Sequence, residues 1–224
     1  MVTAREHAIR LAGDYPNALR FRWRALRQRA VPAAFSAGSD RPVLILPGIY
    51  ETWHYLRPVA ELLNADGHPV HVLPRLGLNG RPIPATAAEV ARVLAERKLR
   101  DVVIVAHSKG GIVGKHLLAI DDTEHRIERV IAIASPFSGS SMARFVPVRG
   151  LREFLPGDAL LGRLAAERAV NARITSIYPA FDPHVPQGSW LDGARNIELP
   201  VTGHFRILLE PRLWDAVRSE VARL

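Results

Sequence analysis

VLIL (43–46), PVHVL (69–73), DVVIVA (101–106) and RVIAIAS (129–135) are short, nearly unbroken apolar runs, and a longer segment follows each of them. A strand with one wet face alternates apolar and polar residues. A strand apolar at every position is buried on both faces, as in a parallel sheet sandwiched between helices. The intervening segments read as helices: TWHYLRPVAELLNADG, closed by Gly67, then ATAAEVARVLAERK and GGIVGKHLLAI. Residues 136–172 break this rhythm with Ser, Gly, Pro and one helical stretch, DALLGRLAAERAV. ITSIY (174–178) and NIEL (196–199) resume the strands, and RILLEPRLWDAVRSEVARL reads as a last helix broken or kinked at Pro211. The fold class is α/β, with a mostly parallel central sheet and helices on both faces. In such sheets ligands bind beyond the carboxyl ends of the strands, so chemistry is sought there.

The chain has 224 residues, enough for one such domain, and AFSAGSDRP (34–42) is the best linker. This divides it into an N-terminal extension, residues 1–41, and an α/β domain, residues 42–224. Within the extension, LRFRWRALRQRA is a short basic amphipathic helix. Leu19, Trp23, Leu26 and Ala30 share one face, with Arg20, Arg24 and Arg27 beside them. The favoured reading lays that helix against the globule with its arginines in water. Peripheral contact with an anionic membrane is the alternative.

The formal charge of +8 comes almost entirely from arginine, since Lys98, Lys109 and Lys115 are the only lysines. These arginines are scattered along the chain, which describes a solvated surface, and no nucleic-acid partner is expected. There is no cysteine, so disulfides and thiolate chemistry are excluded. No apolar run is long enough to span a bilayer, and the N-terminus lacks the apolar stretch of a secretory signal, so a cytoplasmic protein is expected. Nothing in the residues indicates an oligomeric state.

Between strand 101–106 and the following helix stands Ala106-His107-Ser108-Lys109-Gly110. A serine between strand and helix either caps the helix or sits on the forced turn of a nucleophile elbow. The elbow needs small residues two before and two after the serine, and Ala106 and Gly110 meet that requirement. A serine hydroxyl becomes nucleophilic only when a base takes its proton and a carboxylate orients the base. The ends of the later strands supply both. Asp182 follows ITSIY and His204 follows NIEL, in the order Ser, Asp, His expected of this architecture. His184 is the nearest rival base, but it lies in the acid's own loop. His107 is expected to point away from its neighbour Ser108. Asp158 and Asp192 read as helix-cap and turn residues. Two backbone N–H groups should face a developing oxyanion. Lys109 supplies one and Ile49, in the Pro47-Gly48-Ile49 loop after VLIL, the other. No metal or cofactor is required.

The motifs AHSKGG and TSIYPAFDPHVPQGSWLDGARNIELPVTGH make residues 42–224 resemble the α/β-hydrolase family, specifically its small bacterial class 2 triacylglycerol lipases and esterases. The resemblance implies a carboxylic-ester hydrolase acting on a small acyl ester or lipid, or a thioesterase or acyltransferase with the same triad. A non-catalytic binding protein on this scaffold is the remaining alternative. It also implies Ser108 as nucleophile, Asp182 and His204 as its partners, and Ile49 and Lys109 as oxyanion donors. Three departures stand out. Pro47-Gly48 replaces the usual His-Gly, secretion is not evident, and Lys109 stands where an apolar residue is common. A lysine there would place a cation at the mouth of the site, favouring an anionic substrate or pairing with an acidic side chain. Phe137, Met142, Phe145, Val146, Leu151, Phe154 and Leu155, within 137–170, are expected either to cap the acyl site or to be ordinary core.

Overall fold

The computed structural model describes residues 3–27, 32–145 and 149–223. Helix α1 (Ala4–Arg27) leads into strand β1 (Val43–Leu46), helix α2 (Arg57–Ala65), β2 (Val70–His71), α3 (Ile83–Glu96) and β3 (Val102–His107). Then come α4 (Lys109–His116), β4 (Ile127–Ile133), α5 (Ala159–Ala166), β5 (Ile174–Phe181), β6 (Arg195–Thr202) and α6 (Pro211–Ala222). The strands form one sheet in the order β2-β1-β3-β4-β5-β6, and every pairing is parallel. PVHVL contributes only two paired residues, Val70 and His71, at one edge of the sheet. Pro211 interrupts the last helical segment as expected, separating a 3-10 turn (Arg206–Leu209) from α6.

The all-apolar strands are buried on both faces, and alternate residues feed opposite cores. Leu44 and Leu46 of β1 join α3, α4 and α5 in one cluster. Val43 and Ile45 join α2, α6 and Phe21 of α1 in the other. Helices therefore cover both sides, and the loops at the strand carboxyl ends are left to build a site.

Helix α1 is longer than expected and turned differently. Leu19 and Trp23, expected on its inward stripe, are exposed, whereas Phe21 is fully buried and stacks on Tyr55 with ring centroids 5.0 Å apart. The side chain of Leu26, and Ala30 altogether, lie outside what the structure describes. The inward face is chosen by anchors that periodicity does not report. Asp14 accepts the N–H groups of Phe205 and Arg206, each at 3.0 Å, and Tyr55 donates its hydroxyl to the Ala18 carbonyl at 3.2 Å.

Candidate active site

Strand β3 runs directly into the turn at Ser108, whose φ of 52° and ψ of −119° are values that L residues rarely adopt. Such a conformation costs on the order of 1–3 kcal/mol and persists only where the surroundings enforce it. Here β3 and α4 enforce it, and the Ser108 N–H is held by the Ile133 carbonyl at 2.8 Å. The serine hydroxyl makes no capping bond to α4, so the helix-cap reading fails. The glycines that follow allow close packing. A Cβ on Gly110 would lie 2.4 Å from the Leu46 carbonyl oxygen, and one on Gly111 would lie 2.0 Å from Ser135 Oγ. Gly110 thus lets the elbow abut the end of β1, just before the loop that carries Ile49.

The other two residues arrive from β5 and β6, two and three strands along the sheet from β3. Asp182 follows β5 and is buried, and His204 follows β6 and is buried beside it. His204 Nδ1 meets Asp182 Oδ2 at 2.7 Å, while Asp182 Oδ1 accepts the N–H groups of His184 (2.8 Å) and Val185 (3.0 Å). Burial works against ionisation of both groups, yet their mutual attraction and hydrogen bond prevail. The Asp182 carboxyl is held below its ordinary range and the His204 imidazole above its own, with Glu51 and Asp14 adding to the latter. The rival His184 is pushed down to about 4, first by burial and then by the charge of His204, which makes it a weak base.

Ser108 and His204 line one cavity of about 310 Å³, together with Ile49. No hydrogen bond joins Ser108 Oγ to His204 among the described residues. Such contacts are often long without substrate. None of the described hydrogen bonds uses the N–H of Ile49 or of Lys109. Apart from these, the cavity wall is largely apolar, with Leu19, Met142, Leu151, Phe154, Val185 and Phe205 prominent.

A family model for the alpha/beta hydrolase family matches residues 43–222. The chain belongs to that family. Among curated proteins, it is 29% identical to the lysosomal thioesterase PPT2 of Bos taurus over 119 residues, 49% of this chain. The match spans 38% of that relative's length. Among solved structures it resembles a carboxylesterase of the ammonia-oxidizing thaumarchaeon Nitrososphaera gargenis, with a TM-score of 0.60 and 14% identity, covering 83% of this chain and 92% of the other. It also resembles the mature lipase BlEst2 of Bacillus licheniformis, with a TM-score of 0.56 and 17% identity, covering 86% and 99%. At such identities these structures share the fold, a six-stranded parallel sheet with flanking helices.

Against that hydrolase background, one expectation fails outright. The Lys109 side chain does not sit at the mouth of the cavity. It is fully buried, and its Nζ donates to the backbone carbonyls of Asn79 (2.8 Å) and Arg81. Burial lowers its pKa to about 8, with Glu153 opposing the shift. The lysine therefore ties α4 to the loop before α3, and gives no reason to expect an anionic substrate. The segment 137–170 divides between its two readings. Met142, Leu151 and Phe154 line the cavity, while Phe137 and Phe154 are buried in the core. Phe145 is exposed, and Val146 lies outside the described residues. Asp158 caps α5 as expected, its Oδ1 accepting from Leu160 and Leu161. Asp192 takes the turn role, its carbonyl accepting from Asn171.

Two further residues, Glu51 and Asp14, escaped the sequence reading, and a third, His107, was read only as part of the elbow. Glu51 is buried, and its carboxylate accepts the Gly48 N–H at 2.8 Å and faces His107 Nδ1 at 2.9 Å. The other ring nitrogen, Nε2 of His107, faces the carbonyl oxygen of His204 at 3.1 Å. His107 points away from Ser108's cavity, as expected, but not into idle core. It joins the Ile49 loop to the His204 loop. Both its ring nitrogens face oxygens, those of the Glu51 carboxyl and of the His204 carbonyl. Asp14, from the N-terminal extension, is the other residue that escaped. It is buried, fastens the loop just after His204, and lies 3.5 Å from His184 Nε2.

Proposed function

We propose that the protein is a serine hydrolase that cleaves carboxylic esters through an acyl-enzyme intermediate. The observation that carries this reading is the buried 2.7 Å contact between His204 and Asp182, at a cavity that also takes in a serine held at φ 52°. Ser108 Oγ attacks the ester carbonyl carbon while His204 Nε2 takes its proton. The carbonyl π electrons move to oxygen, and the N–H groups of Ile49 and Lys109 receive that oxyanion. Asp182 orients the imidazole and stabilises its cation. As the oxyanion collapses, the bond to the alkoxy oxygen breaks and His204 returns the proton to the leaving alcohol. Water, deprotonated by His204, then attacks the acyl-serine, and a second collapse frees the acid and restores Ser108. The reaction needs no redox partner. A largely apolar cavity wall suits an acyl chain.

A fluorophosphonate probe should label wild-type protein and leave Ser108→Ala unlabelled. Turnover across a p-nitrophenyl ester series, acetyl to palmitoyl, should vanish with the same substitution. Ester turnover that survives in Ser108→Ala would overturn the assignment. Thioester hydrolysis is the second reading, favoured by the similarity to a thioesterase over about half the chain. Comparing kcat/KM for an acyl thioester and the matching oxygen ester decides between them.

A further inference from the structure

Helix α1 wears its apolar face on the outside. Its inner side is fixed by Asp14, Ala18 and Phe21. On the opposite side, Ile9 is 61% exposed, Tyr15 49%, Leu19 60% and Trp23 57%. Tyr15, Leu19 and Trp23 follow one another at four-residue spacing and therefore form a continuous strip along the helix. Ala8 and Ala12 are exposed as well. A helix that lies on a globule in water normally turns this stripe inward and its charges outward. Here the exposed charges around the strip are mostly arginines, among them Arg5, Arg20 and Arg22, with Glu6 the one exposed acid among the described residues of the helix. Of the two acids on the helix, Asp14 is buried and Glu6 is bonded to Thr3.

The strip is continuous with the catalytic cavity, since Tyr15, Ala18, Leu19 and Arg22 line it beside Ser108 and His204. Across the mouth, Met142 and Ala143 line the same cavity, and Phe145, at the end of their 3-10 turn, is 71% exposed. The mouth therefore has an apolar rim on two sides and a basic border. An aromatic and aliphatic face bordered by arginine is the chemistry that lies in the interface of a membrane bearing negative headgroups. A second copy of the chain fits less well, because it would bring another +8 formal charge against this one.

We propose that α1 is a docking helix that sets the mouth of the cavity on an anionic lipid surface. Esters would then pass from the lipid into the cavity without crossing water. This names the source of the substrate for the ester-hydrolase reading and, in that respect, rests on it.

The test uses the full chain with Ser108→Ala, so that binding is read without turnover. Flotation should show binding to phosphatidylglycerol/phosphatidylcholine vesicles, little binding to phosphatidylcholine alone, and loss of binding at high salt. Ile9→Asp combined with Trp23→Asp, two positions outside the cavity lining, should weaken vesicle binding by about tenfold or more. Arg5→Glu with Arg20→Glu should weaken it by roughly fivefold or more per site. With Ser108 intact, the apolar pair of substitutions should leave hydrolysis of a soluble short-chain ester within about twofold of wild type, while turnover of vesicle-borne ester falls with the binding. The proposal is overturned if phosphatidylglycerol vesicles do not bind, if both double variants bind as well as Ser108→Ala alone, or if sedimentation shows a dimer in place of vesicle binding. Binding by Ser108→Ala together with no ester turnover by wild type would overturn the catalytic reading and leave the docking surface standing.

Discussion

Asp182→Asn isolates the role of the carboxylate with little change of shape. Asp182 Oδ1 receives two backbone N–H groups, from His184 and Val185, and Oδ2 faces His204 Nδ1. An amide has one carbonyl and one NH2, so it cannot serve both sides. With its oxygen left toward the two N–H donors, the NH2 points at Nδ1, which must then accept. The ring proton moves to Nε2, the nitrogen that must take the Ser108 proton, and the base is disabled. Flipping the amide restores the productive tautomer but sets NH2 against two backbone donors. Each buried donor left unpaired costs about 1–3 kcal/mol. The flipped form is therefore disfavoured by about 2–6 kcal/mol, and even that form lacks the negative charge that stabilises the imidazolium. A loss in kcat of about 10³–10⁴-fold is expected, in line with the corresponding substitution in a serine protease triad. Stopped-flow or steady-state hydrolysis of p-nitrophenyl butyrate measures it, with circular dichroism as the check on folding. A folded Asp182→Asn enzyme within tenfold of wild-type kcat would refute the argument.

The pH profile gives an independent reading of the same pair. His204 is held above its ordinary value, and only the neutral imidazole accepts a proton, so kcat/KM should rise with pH through an apparent pKa above 6.5 and fall away below it. Glu51→Gln should slow turnover without changing which residue the fluorophosphonate labels. It removes one of the two carboxyl oxygens that stand between Gly48 N–H and His107 Nδ1, and the resulting change in stability is read by thermal melting. Gly110→Ala should reduce both stability and kcat/KM, because its Cβ would fall 2.4 Å from the Leu46 carbonyl oxygen; Gly162→Ala, where a Cβ meets nothing within 4 Å, should instead stabilise α5 by about 0.5–1 kcal/mol. Lys109→Met should remove a pH dependence of stability. The folded pKa lies near 8, below the ordinary 10.5, so the burial cost is full below pH 8 and fades as pH rises toward 10.5. Wild type should accordingly gain up to about 3 kcal/mol on the variant across that window in urea melts.

The parts of the molecule that were legible in sequence are those written in local pattern. All-apolar runs mark β1, β3 and β4 because strands buried on both sides tolerate little else. The elbow was legible because strand, serine and glycines must be adjacent in the chain. Asp182 and His204 could be placed because each follows the strand that delivers it. What escaped depends on meetings between distant segments. Glu51 and His107 are separated by 56 residues, and Asp14 and Phe205 by 191. No period or spacing announces such a pair. Lys109 misled for a related reason: its place beside Ser108 follows from the chain, but the direction of its side chain is set by carbonyls at Asn79 and Arg81.

Helix α1 shows most clearly why pattern alone falls short. Its sequence has two apolar arcs, one through Ala18 and Phe21 and one through Tyr15, Leu19 and Trp23, and either suits a core. Burying the second arc would have turned Asp14 outward and left the Phe205 and Arg206 N–H groups without their acceptor. The loop carrying His204 is therefore held by the same contact that turns the strip to the outside. That coupling gives a direct consequence. Asp14→Ala should loosen the His204 loop and lower kcat more than it raises KM for a soluble ester, whereas Asp14→Asn, which keeps one acceptor oxygen, should recover part of the loss. Equal kcat in wild type and both variants would show that α1 merely rests on the hydrolase domain and takes no part in holding its base.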